Sequence, residues 1–263
     1  LYDYQDGSAL KLTIAQYLTP GDVSIQSKGI APDIEVSPII IAKDEIDLYR
    51  STNILRERDL SSHLTNKATE EAKAFFYEVR YLNEELSKRA EGADDDDDFV
   101  DPDKFREDFE IKLAQRLLKK VQRVSERREM LQKMKPELES VSKHEFQIVQ
   151  RELKRQGIDW TVGNSASKPN LAVTLGRSTE GAITGGDKLS LSATVTNNGT
   201  APVYQLKALT QSDNSLYDEH EFIFGKLAPG ESRTYSVPIR IPKDISSRRD
   251  IVSFEFSDET KMF

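Results

Sequence analysis

The sequence predicts a mixed α and β, multidomain protein: a β segment at the start, a three-helix region, and a C-terminal β-sandwich. Three observations predict it. Apolar residues alternate with polar ones near the start and again from Asn170, but recur every three or four positions between residues 69 and 157. The acidic run Asp94–Asp98 and the Ser/Asn/Pro-rich stretch Asn164–Pro169 punctuate the chain as linkers. The 263 residues are also 31% charged and 37% hydrophobic, which is polar for one continuous core and fits two modest domains with solvated helices.

Residues 1–42 read as strand and turn. Leu10, Leu12 and Ile14 alternate with Lys11, Thr13 and Ala15, as in a half-buried strand. Thr19-Pro20-Gly21-Asp22 is turn chemistry, since proline presets φ and glycine permits positive φ. Val36–Ala42 is a short apolar strand that Pro38 should confine to an edge or an exit. Residues 43–68 are mixed polar and read as a linker with short helical pieces.

Residues 69–160 form the helical region, with an acidic linker at 93–101. A first helix is expected from Thr69, carrying Ala72, Phe75, Phe76, Val79, Leu82 and Leu86 on one side and stopping before Gly92. Asp101-Pro102 reads as an N-cap followed by proline at the first helical position. Phe105, Phe109, Leu113, Leu117 and Val121 then share a face, and Pro136 should end or kink that helix. A third helix carries Leu138, Val141, Phe146, Val149 and Leu153 and closes at Gly157, a C-cap glycine. Trp160 is expected to anchor the helical layer on the sandwich.

Residues 170–263 carry six alternating segments: Leu171–Leu175, Leu189–Val195, Tyr204–Ala208, Phe222–Phe224, Tyr235–Ile241 and Val252–Phe256. The intervening Gly185-Gly186-Asp187, Asn197-Asn198-Gly199 and Pro229-Gly230-Glu231 are turns, with Asn198-Gly199 read as a hairpin. This is an immunoglobulin-like sandwich one strand short of the usual seven or so, and so expected to be truncated.

Several function classes are excluded by composition. A net charge of −8 argues against nucleic-acid phosphates and anionic membrane surfaces as partners. Zero cysteines exclude a disulfide scaffold and a thiolate metal site. No apolar run approaches the roughly 20 residues needed to span a bilayer. His63, His144 and His220 lie in separate segments without metal-ligand spacing, and the Asp94–Asp98 run lacks the alternation of a calcium loop. No cofactor, no metal ligand and no cofactor-binding residue is expected.

Ser-x-x-Lys, an acylating motif, occurs at Ser8/Lys11, Ser140/Lys143 and Ser165/Lys168, with Ser212-Asp213-Asn214 as its companion triplet. Such chemistry needs a lysine kept neutral by burial. The first pair points to opposite faces of a strand, the second sits among Glu137, Glu139 and Glu145 on a solvated helix, and the third lies in a linker. No catalytic residue is expected among them.

The opening residues carry a resemblance. Thr19-Pro20, Ile25-Gln26, Lys28-Gly29-Ile30 and Pro32-Asp33-Ile34 resemble the closing segment of the catalytic domain in carboxyl-terminal processing, tail-specific serine peptidases. Gly21-Asp22-Val23 departs from that family's pattern, which places glycine one position later with an arginine after it. The resemblance, and nothing else in the sequence, implies a Ser-Lys endopeptidase of the cell envelope, in a periplasmic setting, that cleaves protein or peptide substrates. It also implies that the catalytic Ser and Lys precede Leu1, so that this portion should be inactive, with Leu10, Leu12 and Ile14 completing a sheet beneath the missing serine. The alternative is a non-catalytic envelope binding module whose sandwich meets a protein or glycan partner.

Overall fold

The fold is mixed α and β and multidomain, as seen in a computed structural model that describes residues 2–3, 8–10, 18–19, 23–24, 32–43, 45–49, 76–90, 108–121, 126–179, 181–244 and 248–259. The chain divides into two compact units: Leu1–Glu35 with Thr52–Glu78, and Val36–Ser51 with Val79–Phe263.

In the first unit, β1 (Tyr2–Asp3) pairs antiparallel with β2 (Ala9–Leu10), and β3 (Leu18–Thr19) with β4 (Val23–Ser24). The strands on either side of Pro20-Gly21-Asp22 thus pair, as the turn chemistry requires. Leu12, Ile14 and the motif positions Ile25-Gln26 and Lys28-Gly29-Ile30 lie outside the described residues.

The second unit opens on the sheet β6-β5-β7, with β6 (Ile46–Asp47) and the parts of β5 (Ile34–Ile41) and β7 (Tyr77–Leu82) from Val36 and Val79 onward. Pro38 therefore sits in the middle strand, not at an edge. The strand tolerates it because β6 reaches only Ile40 and Ile41, so no β6 hydrogen bond is forfeited at Pro38. Part of the expected linker is structural: Ile46 and Leu48 are buried in the core.

The helix expected from Thr69 is corrected. Residues 77–82 form strand β7, with Val79 and Tyr81 buried. Phe76, Val79 and Leu82 satisfy a helical spacing, yet Tyr77, Val79 and Tyr81 satisfy the alternation of a strand equally well. Aromatic and β-branched side chains, and a neighbouring strand to pair with, favour the second. The helix, α1 (Glu84–Ala90), begins only after Asn83, whose side chain accepts from the Leu86 amide at 3.0 Å.

Helix α2 (Phe109–Lys120) starts at Asp108, whose carboxylate accepts the Ile111 amide at 2.8 Å, and buries Leu113 and Leu117. The cap expected at Asp101-Pro102 and the run Asp94–Asp98 lie outside the described residues. Helix α3 (Arg127–Arg155) continues through Pro136, where an end or a kink was expected. The proline is exposed and removes one backbone bond, while Met134, Leu138, Val141, Val149 and Leu153 hold a continuous buried face on both sides of it. The helix ends as predicted, with Gly157 at φ +80° and its amide bonded to the Lys154 carbonyl.

All six expected strands are present: β8 (Leu171–Arg177), β9 (Lys188–Asn197), β10 (Val203–Gln211), β11 (Glu221–Leu227), β12 (Ser232–Arg240) and β13 (Ser253–Ser257). They form two antiparallel sheets, β12-β9-β8 and β11-β10-β13, enclosing one core that includes Val195, Leu206, Phe222, Phe224 and Leu227. β9 and β10 belong to different sheets, so Asn197-Asn198-Gly199 is a crossing between layers and not a hairpin. Buried Asn197 fixes it: its amide donates to the carbonyls of Ala201 and Leu227, and its side-chain oxygen accepts the Gly199 amide.

Strand β10 departs from simple alternation. Gln205 has φ +47°, and the pairing with β11 shifts register between Val203 and Lys207. This bulge puts Val203, Leu206 and Ala208 in the core and turns Tyr204 and Lys207 outward. β11 is covered on both faces. Phe222 and Phe224 enter the sandwich core, while Ile223 joins a second cluster with Ile39, Ile41, Ile46, Leu48, Val149, Leu153, Ile158 and Trp160. Trp160 anchors the helical layer on the sandwich, as the sequence suggested.

Candidate functional site

The Ser-x-x-Lys pairs are not assembled into a reactive site among the described residues. Ser8 is exposed, and Lys11 lies outside the described residues. Ser140 and Lys143 are both exposed on α3. Ser165 accepts a hydrogen bond from the Tyr204 amide at 3.0 Å, while Lys168 faces solvent. Ser212-Asp213-Asn214 ties its own loop: Ser212 Oγ accepts from the Asn214 amide, and Asn214 Oδ1 accepts from the Leu216 amide. His144 is exposed on α3, His220 lies beside the Leu216 carbonyl, and His63 is outside the described residues. Among the described residues, no group of three or more His, Asp or Glu is placed to hold a metal.

The strongest concentration of perturbed charge lies elsewhere, where the small sheet meets the outer face of β10 and β11. Lys207, on the outer face of β10 between the inward Leu206 and Ala208, places its Nζ 3.0 Å from the Tyr49 ring centroid. The Arg80 guanidinium stands 4.6 Å from the same ring. Glu221 takes both ends of the segment that presents Tyr49, accepting the Leu48 amide at 2.8 Å and the Tyr49 amide at 2.7 Å. Glu259 lies 3.9 Å from Lys207 Nζ, and Asp258 is buried next to it in sequence.

Burial sets the protonation of this cluster. Desolvation pulls the Lys207 ammonium down to about 8, against the opposing pull of Glu221. Desolvation also pushes the Glu259 carboxyl up to about 7. A lysine near neutral pH is the kind of group acyl-transfer chemistry uses, but here it stacks on a ring within an ion cluster. The geometry makes it a joint between layers. Sequence reasoning passed over Lys207 as an ordinary outward residue of an alternating strand; it is the Tyr49 ring laid over that face that covers it. The apposition of Glu221 with Leu48, 173 positions away, had no local signal.

A second joint binds β7 to α2. Tyr81 stacks on Phe109 with centroids 4.1 Å apart, and its hydroxyl donates to Glu110 at 2.6 Å. Burial, then the Glu110 carboxylate, hold that phenol well above its ordinary range. Arg116 and Lys120 both pair with Glu137 across α2 and α3, the Arg116 contact keeping its carboxyl low.

Residues 1–36 match peptidase family S41. The match relates that segment, a small part of the 263 residues, to a peptidase family. No curated protein matches the chain. Among solved structures, a Pseudomonas fluorescens alkylpurine DNA glycosylase AlkC bound to DNA containing an abasic site analog aligns at 15% identity with a TM-score of 0.26. The alignment covers 57% of this chain and 50% of that one, and a score so low bears on neither fold nor function. No helix among the described residues is long and apolar enough to cross a membrane.

Proposed function

We propose that the chain is the C-terminal portion of a serine-type, carboxyl-terminal processing endopeptidase of the cell envelope, acting in the periplasm on protein or peptide tails. The match of residues 1–36 to peptidase family S41 carries this reading. In it, the opening strands support a catalytic domain, and the helices and immunoglobulin-like sandwich are accessory parts that position it. The 263 residues alone do not hydrolyse peptides, in keeping with the scattered Ser and Lys pairs described above.

Two measurements test the proposal. The purified chain is incubated with a fluorophosphonate probe and an unstructured peptide; no labelling and no cleavage are expected. The coding sequence ahead of Leu1 is then read for a serine and, further on, a lysine segment. Cleavage by the 263 residues, or an upstream sequence without such segments, would refute the reading. The second reading is an envelope binding module, favoured by a sandwich that extends far beyond the 36 matched residues. Saturable binding of the chain to cell-wall glycan or to an envelope protein, with no peptidase segment encoded upstream, would select it.

A further inference from the structure

We infer that Asn198 is a modification site, where the side chain closes on the Gly199 nitrogen and loses ammonia, and that buried Asn197 holds this reaction in check. Asn-Gly favours such closure, because glycine has no Cβ to keep its nitrogen from the preceding side chain. A hairpin would account for the pair in another way, but none forms. The pair lies on the crossing from β9 to β10, and Gly199 does not take the left-handed φ that an Asn-Gly hairpin turn needs.

The chemistry sets its own demands. The Gly199 nitrogen gives up its proton and attacks the side-chain carbonyl carbon of Asn198. A new N–C bond forms there, the bond from that carbon to the side-chain nitrogen breaks, and the nitrogen leaves as ammonia with a proton from solvent. The resulting five-membered succinimide takes up one water at either carbonyl, which leaves aspartate or isoaspartate at position 198.

Three contacts oppose these moves. The Gly199 N–H donates to Asn197 Oδ1 at 2.9 Å, so the attacking nitrogen is engaged and keeps its proton. Asn197 is fully buried, and its own side-chain amide is held by the carbonyls of Ala201 and Leu227. The Asn198 N–H donates to the Asn170 carbonyl at 2.8 Å, which pins the residue that carries the electrophile. Asn198 itself is exposed among the described residues, so its side chain is not shielded by burial. The reaction therefore waits on opening of the corner. Isoaspartate lengthens the main chain by one carbon between two pinned positions, so each event disturbs the corner irreversibly.

Peptide mapping by mass spectrometry of the full 263-residue chain in mildly alkaline buffer reads the rate. The folded chain should lose the Asn198 amide at least about tenfold more slowly than the same chain in urea. Folding should slow hydrogen exchange of the Gly199 amide by the same factor, within about threefold, because one opening frees that nitrogen for both reactions. Asn197→Ala should speed loss of the Asn198 amide at least about tenfold over the native chain. Asn197→Asp keeps the acceptor oxygen and should fall between the two. Gly225→Ala strains the sandwich elsewhere and should leave the Asn198 rate within about twofold of native. Three results would each overturn the proposal: amide loss as fast in the folded chain as in urea, free exchange of the Gly199 amide while Asn198 persists, or equal acceleration by Asn197→Ala and Gly225→Ala. The first two comparisons use the native chain, so they decide the matter even if Asn197→Ala does not fold.

Discussion

Lys207 and Tyr49 meet as ammonium and ring, 3.0 Å apart, although 158 positions of chain (207 − 49) separate them. The contact fixes the end of the small sheet on the sandwich. Its charge has been taken out of water to do so, and that gives it a pH signature.

Lys207 has a folded value near 8 against about 10.5 when unfolded, so between those values the unfolded chain holds the extra proton. Stability therefore rises with pH across that window. Glu259 has a folded value near 7 against 4.5 when unfolded, so the folded chain holds the extra proton there and stability falls as pH rises from 4.5 to 7. Around this pair stand Arg80, Tyr49, Glu221 and Asp258. Denaturation midpoints measured from pH 5 to pH 10 should pass through a shallow minimum between pH 7 and 8. Lys207→Met should flatten the alkaline limb and Glu259→Gln the acid limb; unchanged limbs in both variants would show that the cluster is open to water.

Glu221→Ala should release the Leu48–Tyr49 segment. Two amides lose a charged acceptor at once, a loss of about 3 kcal/mol. Hydrogen exchange should then speed up by roughly a hundredfold at the Leu48 and Tyr49 amides, with β9 and β12 little changed. Glu221→Gln keeps one acceptor oxygen and should fall between the two. Equal acceleration everywhere would mean that Glu221 supports the whole sandwich and not this segment.

Asn197→Ala should loosen the corner where two of the inter-sheet crossings, β9 to β10 and β11 to β12, meet. The side chain bonds Gly199 and Ala201 in one crossing and Leu227 at the start of the other, and it is fully buried. Its removal strands three backbone groups, for about 3 kcal/mol. A urea midpoint unchanged from the native chain would show that water replaces it.

Gly225→Ala should separate β11 from the segment after α3. Gly225 has φ +72°, and an added Cβ would lie 2.5 Å from the Asp159 carbonyl oxygen and 2.8 Å from Ile158. Both the strained φ and the collision oppose the change, by about 3 kcal/mol or more together. Trp160 is the single tryptophan and is 3% exposed, so its emission should shift to the red. An unshifted spectrum would mean that the segment yields without opening its core.

The legible parts of the fold were those whose signal is local. Alternation over Leu189–Val195 and the cap glycine Gly157 read directly into a strand and a helix end. Where two periods fit the same residues, as at Phe76–Leu82, the sequence could not choose, because a strand needs a partner that is distant in sequence. The Gln205 bulge defeated simple alternation in the same way: one inserted residue moved Tyr204 out of the core and put Val203 in its place. At the candidate site, the Lys207 cluster was not readable, because its members come from segments distant in sequence.

By itself the sequence determined the mixed class, the six strands of the sandwich, the end of α3 and the peptidase-like opening segment. The first three rest on side-chain periodicity or turn chemistry within a few residues, and the last on a resemblance of short motifs to a known family. Only the tertiary structure decided which strands share a sheet, that Pro38 lies in a middle strand, and that Glu221 closes on Leu48 and Tyr49. Those outcomes depend on which distant surfaces exclude water from each other, and burial of that kind is a property of the assembled layers and of no single segment.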